Sequence, residues 1–194
     1  NHTVVCGGDN YDMVVEMCRR IEGNNRFPIN VIRLNIDGVN SNVEYSRLLL
    51  KVDFWTKFRG EKLLIYQEDS FLFHGNISPF MKYDYIGSPI NTTAGKLVCN
   101  GGFSLRSKSK LILCLETVSP KKIRLDKHWE KRLKRTYWQG EVPEDVFFNT
   151  AMSSYGIGLV PNLADARDFA QSEIVSDDPV GGHQFWTAEP ANIK

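Results

Sequence analysis

The sequence lacks any apolar run approaching the roughly 20 residues that a membrane-crossing helix needs. Its first residues, Asn1-His2-Thr3, supply neither an initiator Met nor the apolar core of a signal peptide, so a cytoplasmic domain taken from a larger protein is the expectation. Charge of one sign is missing too: 24 Lys and Arg stand against 23 Asp and Glu, a formal net charge of +1, which excludes a global pull toward nucleic acid or anionic membrane. Any electrostatic function must be local. Cysteine is scarce: Cys6, Cys18, Cys99 and Cys114 are widely spaced in apolar surroundings with no C-x-x-C pair, and buried free thiols are expected rather than disulfides. No internal repeat and no low-complexity linker occurs. With 42% hydrophobic residues in a chain of 194, disorder, collagen-like structure and a stapled miniprotein are excluded, because a core can be buried without covalent help.

What is present reads at first as strand, loop, helix. The apolar Thr3–Cys6 stops at Gly7-Gly8-Asp9-Asn10, and apolar residues then recur at helical spacing from Tyr11 to Ile21 before Gly23. Apolar residues alternate through Ile29–Ile36 as in a strand. Ser41 and Glu44 form a capping box that opens a helix over Asn42–Arg59. Lys62–Tyr66 is a short buried-strand run that ends abruptly in Gln67-Glu68-Asp69-Ser70. This alternation predicts a mixed, mostly parallel central sheet flanked by helices, an α/β single domain. After Asp69 the pattern breaks into short strand-like pieces near Phe71–Phe73 and Tyr83–Ile86, then a turn-rich loop over Ser88–Lys96. A helix is predicted over Ser107–Glu116 and another opening at Pro143, with a loop-like final thirty residues. Asn1-His2-Thr3 and Asn91-Thr92-Thr93 match the short glycosylation sequon.

Five places could carry chemistry. Ligands of open α/β sheets bind just beyond the carboxyl ends of strands, which is where Glu68 and Asp69 stand; a divalent-metal site or a plain acidic turn fits equally. Gly101-Gly102 would let backbone approach a ligand without a Cβ in the way, or make a tight turn. Glu144 and Asp145 open a helix, as partners of its dipole or as a rigidly held general base. Between Lys121 and Arg135, eight Lys or Arg face only Asp126 and Glu130, with Trp129 interleaved: a solvated helix face, or a contact for phosphate-rich ligand or nucleic acid. His183, after Gly181-Gly182, sits on a loop from which it could reach a metal or substrate.

The ordered series Tyr45–Leu50, Phe54-Trp55, Lys62–Ser70, Tyr83–Pro89, Asn100–Arg106, Pro143–Phe148 and Gly182-His183 resembles a family of domains of unknown function classed as candidate glycosyltransferases, found in bacteria, fungi and large DNA viruses. The resemblance spans about residues 43 to 186. More distantly it is similar to nucleotide-sugar-dependent transferases of the GT-A (Rossmann-like) fold, in which a strand ends in Asp-x-Asp. The resemblance implies a nucleotide-binding half over about residues 1–75 and an acceptor-binding half over about 76–194. It implies Mn²⁺ or Mg²⁺ at Asp69, with Glu68 and His183, and Gln67 standing where the first Asp would be. Arg47, Gly101 and Gly102 would contact the donor or line the sugar cleft, Gly7 and Gly8 would lie at the nucleotide base and ribose, and Asp145, or Glu144, would deprotonate the acceptor hydroxyl. The implied activity is transfer of a hexose or N-acetylhexosamine from a nucleotide-diphospho-sugar, UDP-sugar favoured, to a hydroxyl of a glycan, protein or lipid-linked acceptor. One base without a nucleophilic carboxylate implies inversion. The alternatives are a non-catalytic nucleotide-sugar or carbohydrate binding module, and a nucleic-acid-binding domain using residues 121–135.

Overall fold

A computed structural model describes residues 2–23, 28–90, 97–123, 131 and 141–187. The chain is mixed α/β and divides into two compact units, Asn1–Tyr45 and Ser46–Lys194. The expected basic stretch lies outside the described residues apart from 121–123 and 131, as do Asn1 and Asn91 of the two sequons.

The first unit is a strand–helix–strand element: β1 (His2–Cys6), α1 (Tyr11–Glu22) and β2 (Ile29–Arg33). The strands pair in parallel, from His2 opposite Ile29 to Cys6 opposite Arg33, because a crossover helix returns the chain to the same end. After β1 the chain turns against the segment following β2: the Gly8 amide donates to the Ile36 carbonyl at 2.7 Å. A Cβ on Gly7 would stand 2.1 Å from the Asp37 carbonyl oxygen, so only glycine fits there.

The helix expected over 42–59 is shorter. It runs as α2 (Asn42–Leu49), followed by an extended residue, Lys51, and a single turn, α3 (Val52–Trp55). The capping box is present, with the Glu44 amide donating to Ser41 Oγ, while the Glu44 carboxylate reaches the Asn40 amide instead of that of Ser41. The break at Leu49 has a local cause: the Trp55 indole N–H takes the Leu49 carbonyl at 2.7 Å, so that carbonyl turns to a buried aromatic instead of a further helical amide.

The second unit holds β3 (Lys62–Tyr66), β4 (Ser70–Leu72), β5 (Tyr85–Pro89) and β6 (Cys99–Ser107), then α4 (Lys108–Thr117), α5 (Glu144–Tyr155), α6 (Leu163–Phe169), β7 (Ala170–Gln171) and β8 (Gly181–His183). One sheet has the order β3-β6-β5, with both pairings antiparallel; the other has β4-β8-β7, antiparallel and then parallel. The mostly parallel central sheet of the sequence reading is therefore not found among the described residues, where three of the five strand pairings are antiparallel. β5 and β6 are consecutive and pair antiparallel, with no crossover helix between them among the described residues.

β6 is the central strand, and its two faces differ. Leu105 and Phe103 join Leu64, Ile86, Phe80, Phe169 and Val180 in one apolar cluster. Behind them Arg106, directly opposite Tyr85 in the ladder, lies against Trp55. Between Gly87 and Pro89 the register slips: Gly87 pairs with Ser104 but Pro89 with Cys99, so residues 100–103 bow out opposite Ser88 alone. The pair Gly101-Gly102 thus sits in a bulge of the central strand, not in a turn, and a bulge re-aims the side chains around it. Gly87 makes room for it, since a Cβ there would stand 2.2 Å from the Asn100 carbonyl oxygen.

The four cysteines are buried and unpaired, and burial pushes the Cys99 and Cys114 thiols up to about 12. Among the described residues no helix is long and apolar enough to cross a membrane. Leu105, 1% exposed at the centre of the apolar cluster, sets the scale of the core. Leu105→Ala is expected to lower stability by about 3 kcal/mol, read from the midpoint of urea unfolding followed by circular dichroism.

Candidate active site around the Gly101-Gly102 bulge

The two glycines point at two different groups of polar side chains. A Cβ on Gly101 would stand 2.4 Å from Glu144 Oε1 and 2.6 Å from Arg106 Nη2, whereas one on Gly102 would stand 2.2 Å from the His183 ring. No other residue fits at either position without moving a charged or aromatic partner, and consecutive Cα atoms lie about 3.8 Å apart. The two groups therefore stand against adjacent residues of one strand.

The first group is built on the N-terminus of α5. Glu144 is 5% exposed and fully used: Oε1 lies 3.3 Å from Arg106 Nη2, and Oε2 accepts from Ser46 Oγ at 3.1 Å. The Ser46 oxygen also accepts from the Glu144 amide at 3.2 Å, so a serine of α2 satisfies one of the free N–H groups that open α5. Arg106 is 0% exposed and donates from Nη2 to the Gly101 carbonyl at 3.0 Å and from Nε to Ser104 Oγ at 2.8 Å. Its guanidinium lies 4.7 Å from the Tyr85 ring centre and 5.7 Å from that of Trp55, an arrangement in which π faces offset part of the lost hydration. Burial raises the Tyr85 phenol well above its ordinary value, so it stays neutral.

Asp145, next in sequence, is half-buried, and its Oδ1 accepts from the Val146 amide at 2.7 Å. Burial first, and then the neighbouring Glu144 charge, push its carboxyl up to about 7, against the pull of the Val146 amide, Arg106 and the Gly101 amide. A carboxylate poised near neutrality is suited to taking a proton, whereas Glu144 has both oxygens committed to Arg106 and Ser46. Of the two acids, Glu144 is thus committed to Arg106 and Ser46, and Asp145 is the one whose environment suits a base.

The second group is built on the turn after β3. The Gln67 amide and Ser70 Oγ both donate to the Gly102 carbonyl at 2.9 Å, tying that turn to the bulge. Asp69 Oδ2 accepts from Gln184 Nε2 at 2.6 Å, and its carbonyl from the Gln184 amide at 3.1 Å. Gln184 has φ of 47°, a left-handed conformation uncommon for a residue with a Cβ, and it costs free energy that the two bonds to Asp69 help to offset. Asp69 Oδ1 lies 3.1 Å from His183 Nε2, off line for a hydrogen bond, and both atoms are buried without another partner. Burial lowers the His183 pKa, with the Asp69 carboxylate acting in the opposite direction. A neutral imidazole beside a carboxylate is the donor set that a divalent cation takes. Ligands on adjacent vertices of an octahedron with bonds of about 2.1 Å stand about 3.0 Å apart, so the spacing fits.

The remaining sequence-predicted residues fall elsewhere or serve otherwise. Glu68 is exposed, and among the described residues no group of three His, Cys, Asp or Glu could hold a metal, so Asp69, Glu68 and His183 do not form a three-ligand set. Gln67 acts through its backbone. Arg47 is exposed and pairs with Glu141 at 2.9 Å. Gly7 and Gly8 belong to the first unit. Sequence reasoning missed Ser46, Arg106 and Gln184. Arg106 alone carried a usable signal, being a charge embedded in the apolar alternation Phe103-Ser104-Leu105-Arg106.

Glu144→Ala leaves a buried guanidinium without its counter-charge and is expected to cost about 3–5 kcal/mol, whereas Ser46→Ala costs about 1–2 kcal/mol, both read by urea unfolding. Asp145 titrates higher when folded than its ordinary 3.8, so the folded state holds an extra proton between there and about 7, and stability falls as pH rises through that window. Asp145→Asn is therefore expected to be the more stable form at pH 8, by about 1–3 kcal/mol, with the difference closing toward pH 4 in thermal melts.

Neither a curated protein nor a solved structure matches the chain. A family model described as "Protein of unknown function (DUF5672)" matches residues 28–183, a span that takes in Arg106, Asp145 and Asp69 and ends on His183, and the chain belongs to that family.

Proposed function

We propose that this protein is a cation-assisted glycosyltransferase of GT-A type that moves a sugar from a nucleotide-diphospho-sugar, UDP-sugar in the first instance, to an acceptor hydroxyl. The observation that carries this reading is the bulge itself, with a carboxyl pushed up to about 7 beside one glycine and the Asp69–His183 pair, whose facing Oδ1 and Nε2 atoms are buried, beside the next. Glycosyl transfer needs a base for the acceptor and a positive centre for the departing diphosphate, held a short distance apart.

In this mechanism Asp145 accepts the proton of the acceptor hydroxyl while its oxygen attacks the anomeric carbon. The bond from that carbon to the diphosphate oxygen breaks, and configuration inverts. Asp69 and His183 would hold Mn²⁺ or Mg²⁺, which when bound supplies charge neutralisation to the diphosphate. Gln184 fixes Asp69 through Oδ2, leaving Oδ1 for the cation. Arg106 and Glu144 keep the N-terminus of α5, and with it Asp145, against Gly101. The glycines keep both groups clear of side chains that would fill the space.

Calorimetric titration of UDP with Mn²⁺, and again with EDTA, tests the reading. Binding is expected with the metal and is expected to be lost with EDTA, in Asp69→Ala and in His183→Ala. Asp145→Asn is expected to keep binding and to lose transfer by about 10²-fold or more, and the wild-type rate is expected to climb with pH up to about 7. Absence of binding to every nucleoside diphosphate tried would sink it.

A further inference from the structure

Four aromatic rings flank the Asp69–His183 pair in a way that the chemistry above does not use. Phe71 and Phe73 follow Asp69 on and just after β4, and Phe185 and Trp186 follow His183 on a short 3-10 turn. The two strands that carry them are paired, Ser70 opposite His183 and Phe71 opposite Gly182, so the rings grow out of the segment that holds the polar pair. Phe185 is the hub: its ring centre lies 5.6 Å from that of Phe71, 5.2 Å from Phe73 and 5.4 Å from Trp186, each contact edge-to-face. Around it Phe71, Phe73 and Trp186 are 53%, 47% and 59% exposed. Exposed aromatics are common singly; a contiguous, mutually braced set beside a polar centre marks a binding surface.

We infer that this cluster is the platform on which a saccharide acceptor stacks. The inference rests on the transferase reading for its place in the reaction, but the binding it asserts is independent of donor and metal. A pyranose ring has an apolar C–H face and a rim of hydroxyls. The cluster offers ring faces held in place by edge-to-face contact, so little conformational freedom is lost on binding. Its border carries polar groups, with Glu68 exposed next to Asp69, the half-buried His74 next to Phe73 and Gln184 next to Phe185, and one apolar side chain, Leu72, 56% exposed between Phe71 and Phe73. A protein partner would need some 20–30 residues a side, and a patch of four rings with this border is too small for that. A saccharide stacked here stands immediately beside the pair proposed to hold the leaving diphosphate.

The test uses the full chain without nucleotide or metal, with methyl glycosides of glucose, galactose and N-acetylglucosamine and their β-linked disaccharides as probes, at concentrations on the order of tens of millimolar. Saturation-transfer NMR is expected to show contact through ring C–H protons for at least one of them. Phe71→Ala and Trp186→Ala remove exposed rings and leave Phe185 in place, so both are expected to keep the wild-type melting temperature. Each is expected to weaken saccharide binding about tenfold while UDP binding with Mn²⁺ is unchanged. Three results would overturn the platform: no saccharide contact, contact that both variants leave intact, or competition by UDP for the same rings, which would make this a nucleobase site. Concentration-dependent dimerisation abolished by Trp186→Ala would also overturn it, in favour of a second copy of the chain. Saccharide contact without any UDP binding would leave the platform standing and remove the donor reading, so the two failures are distinguishable.

Discussion

The buried pair of Arg106 and Glu144 is the interaction on which the arrangement of the second unit turns. Removing a guanidinium and a carboxylate from water costs several kcal/mol per ion unless the remaining hydrogen-bonding capacity is met. Here part of it is met by the Gly101 carbonyl and Ser104 of β6 and by Ser46 of α2 on the far oxygen of Glu144, and the ring faces of Tyr85 on β5 and Trp55 on α3 lie against the guanidinium. Once the pair forms, the N-terminus of α5 has one place to sit. The bulge at Gly101 is what admits it, since any side chain there would occupy the position of the ion pair.

Asp145 inherits its properties from this anchor. It is carried into partial burial by a helix whose preceding residue already holds Arg106, and burial together with the neighbouring Glu144 charge moves its carboxyl up to about 7. That is a stability cost, and under the proposed transfer reaction it falls at the group that would take the proton. The same logic holds across the bulge, where Gln184 takes a left-handed backbone to reach Asp69 and leaves Asp69 Oδ1 and His183 Nε2 buried with no hydrogen bond. Two departures from relaxed structure, on either side of one pair of glycines, are the physical content of the functional reading.

Much of this was legible in the residues. Strong periodic segments, α1, β3 and α4, fall close to where apolar spacing puts them, because a helix face or a buried strand must match its partner whatever the rest of the chain does. Asp69, Asp145 and His183 could be picked out because each sits next to the end of an element, and Gly101 and Gly102 because two glycines stand together. The direction of the strands could not be picked out. Apolar runs such as Lys62–Tyr66 look the same whether their neighbour is parallel or antiparallel, and the antiparallel partner of β3 is β6, some way along the chain. The split of the helix expected over 42–59 was equally hidden, since it depends on the Trp55 indole finding the Leu49 carbonyl.

The sequence by itself determined composition, the extents of α1, β3 and α4, the near-absence of net charge, and which few side chains had the chemistry to act. Those are local properties, set by propensity and spacing. Tertiary structure alone decided which of two adjacent acids is free, because Glu144 and Asp145 are equivalent until Arg106 and Ser46, 38 and 98 residues away in the chain, claim one of them. It also decided that a glycine pair is a bulge instead of a turn, since that depends on what β5 places opposite Ser104 and Cys99. Partner choice across long sequence separation is fixed by packing and register, and neither is written in any short stretch of residues.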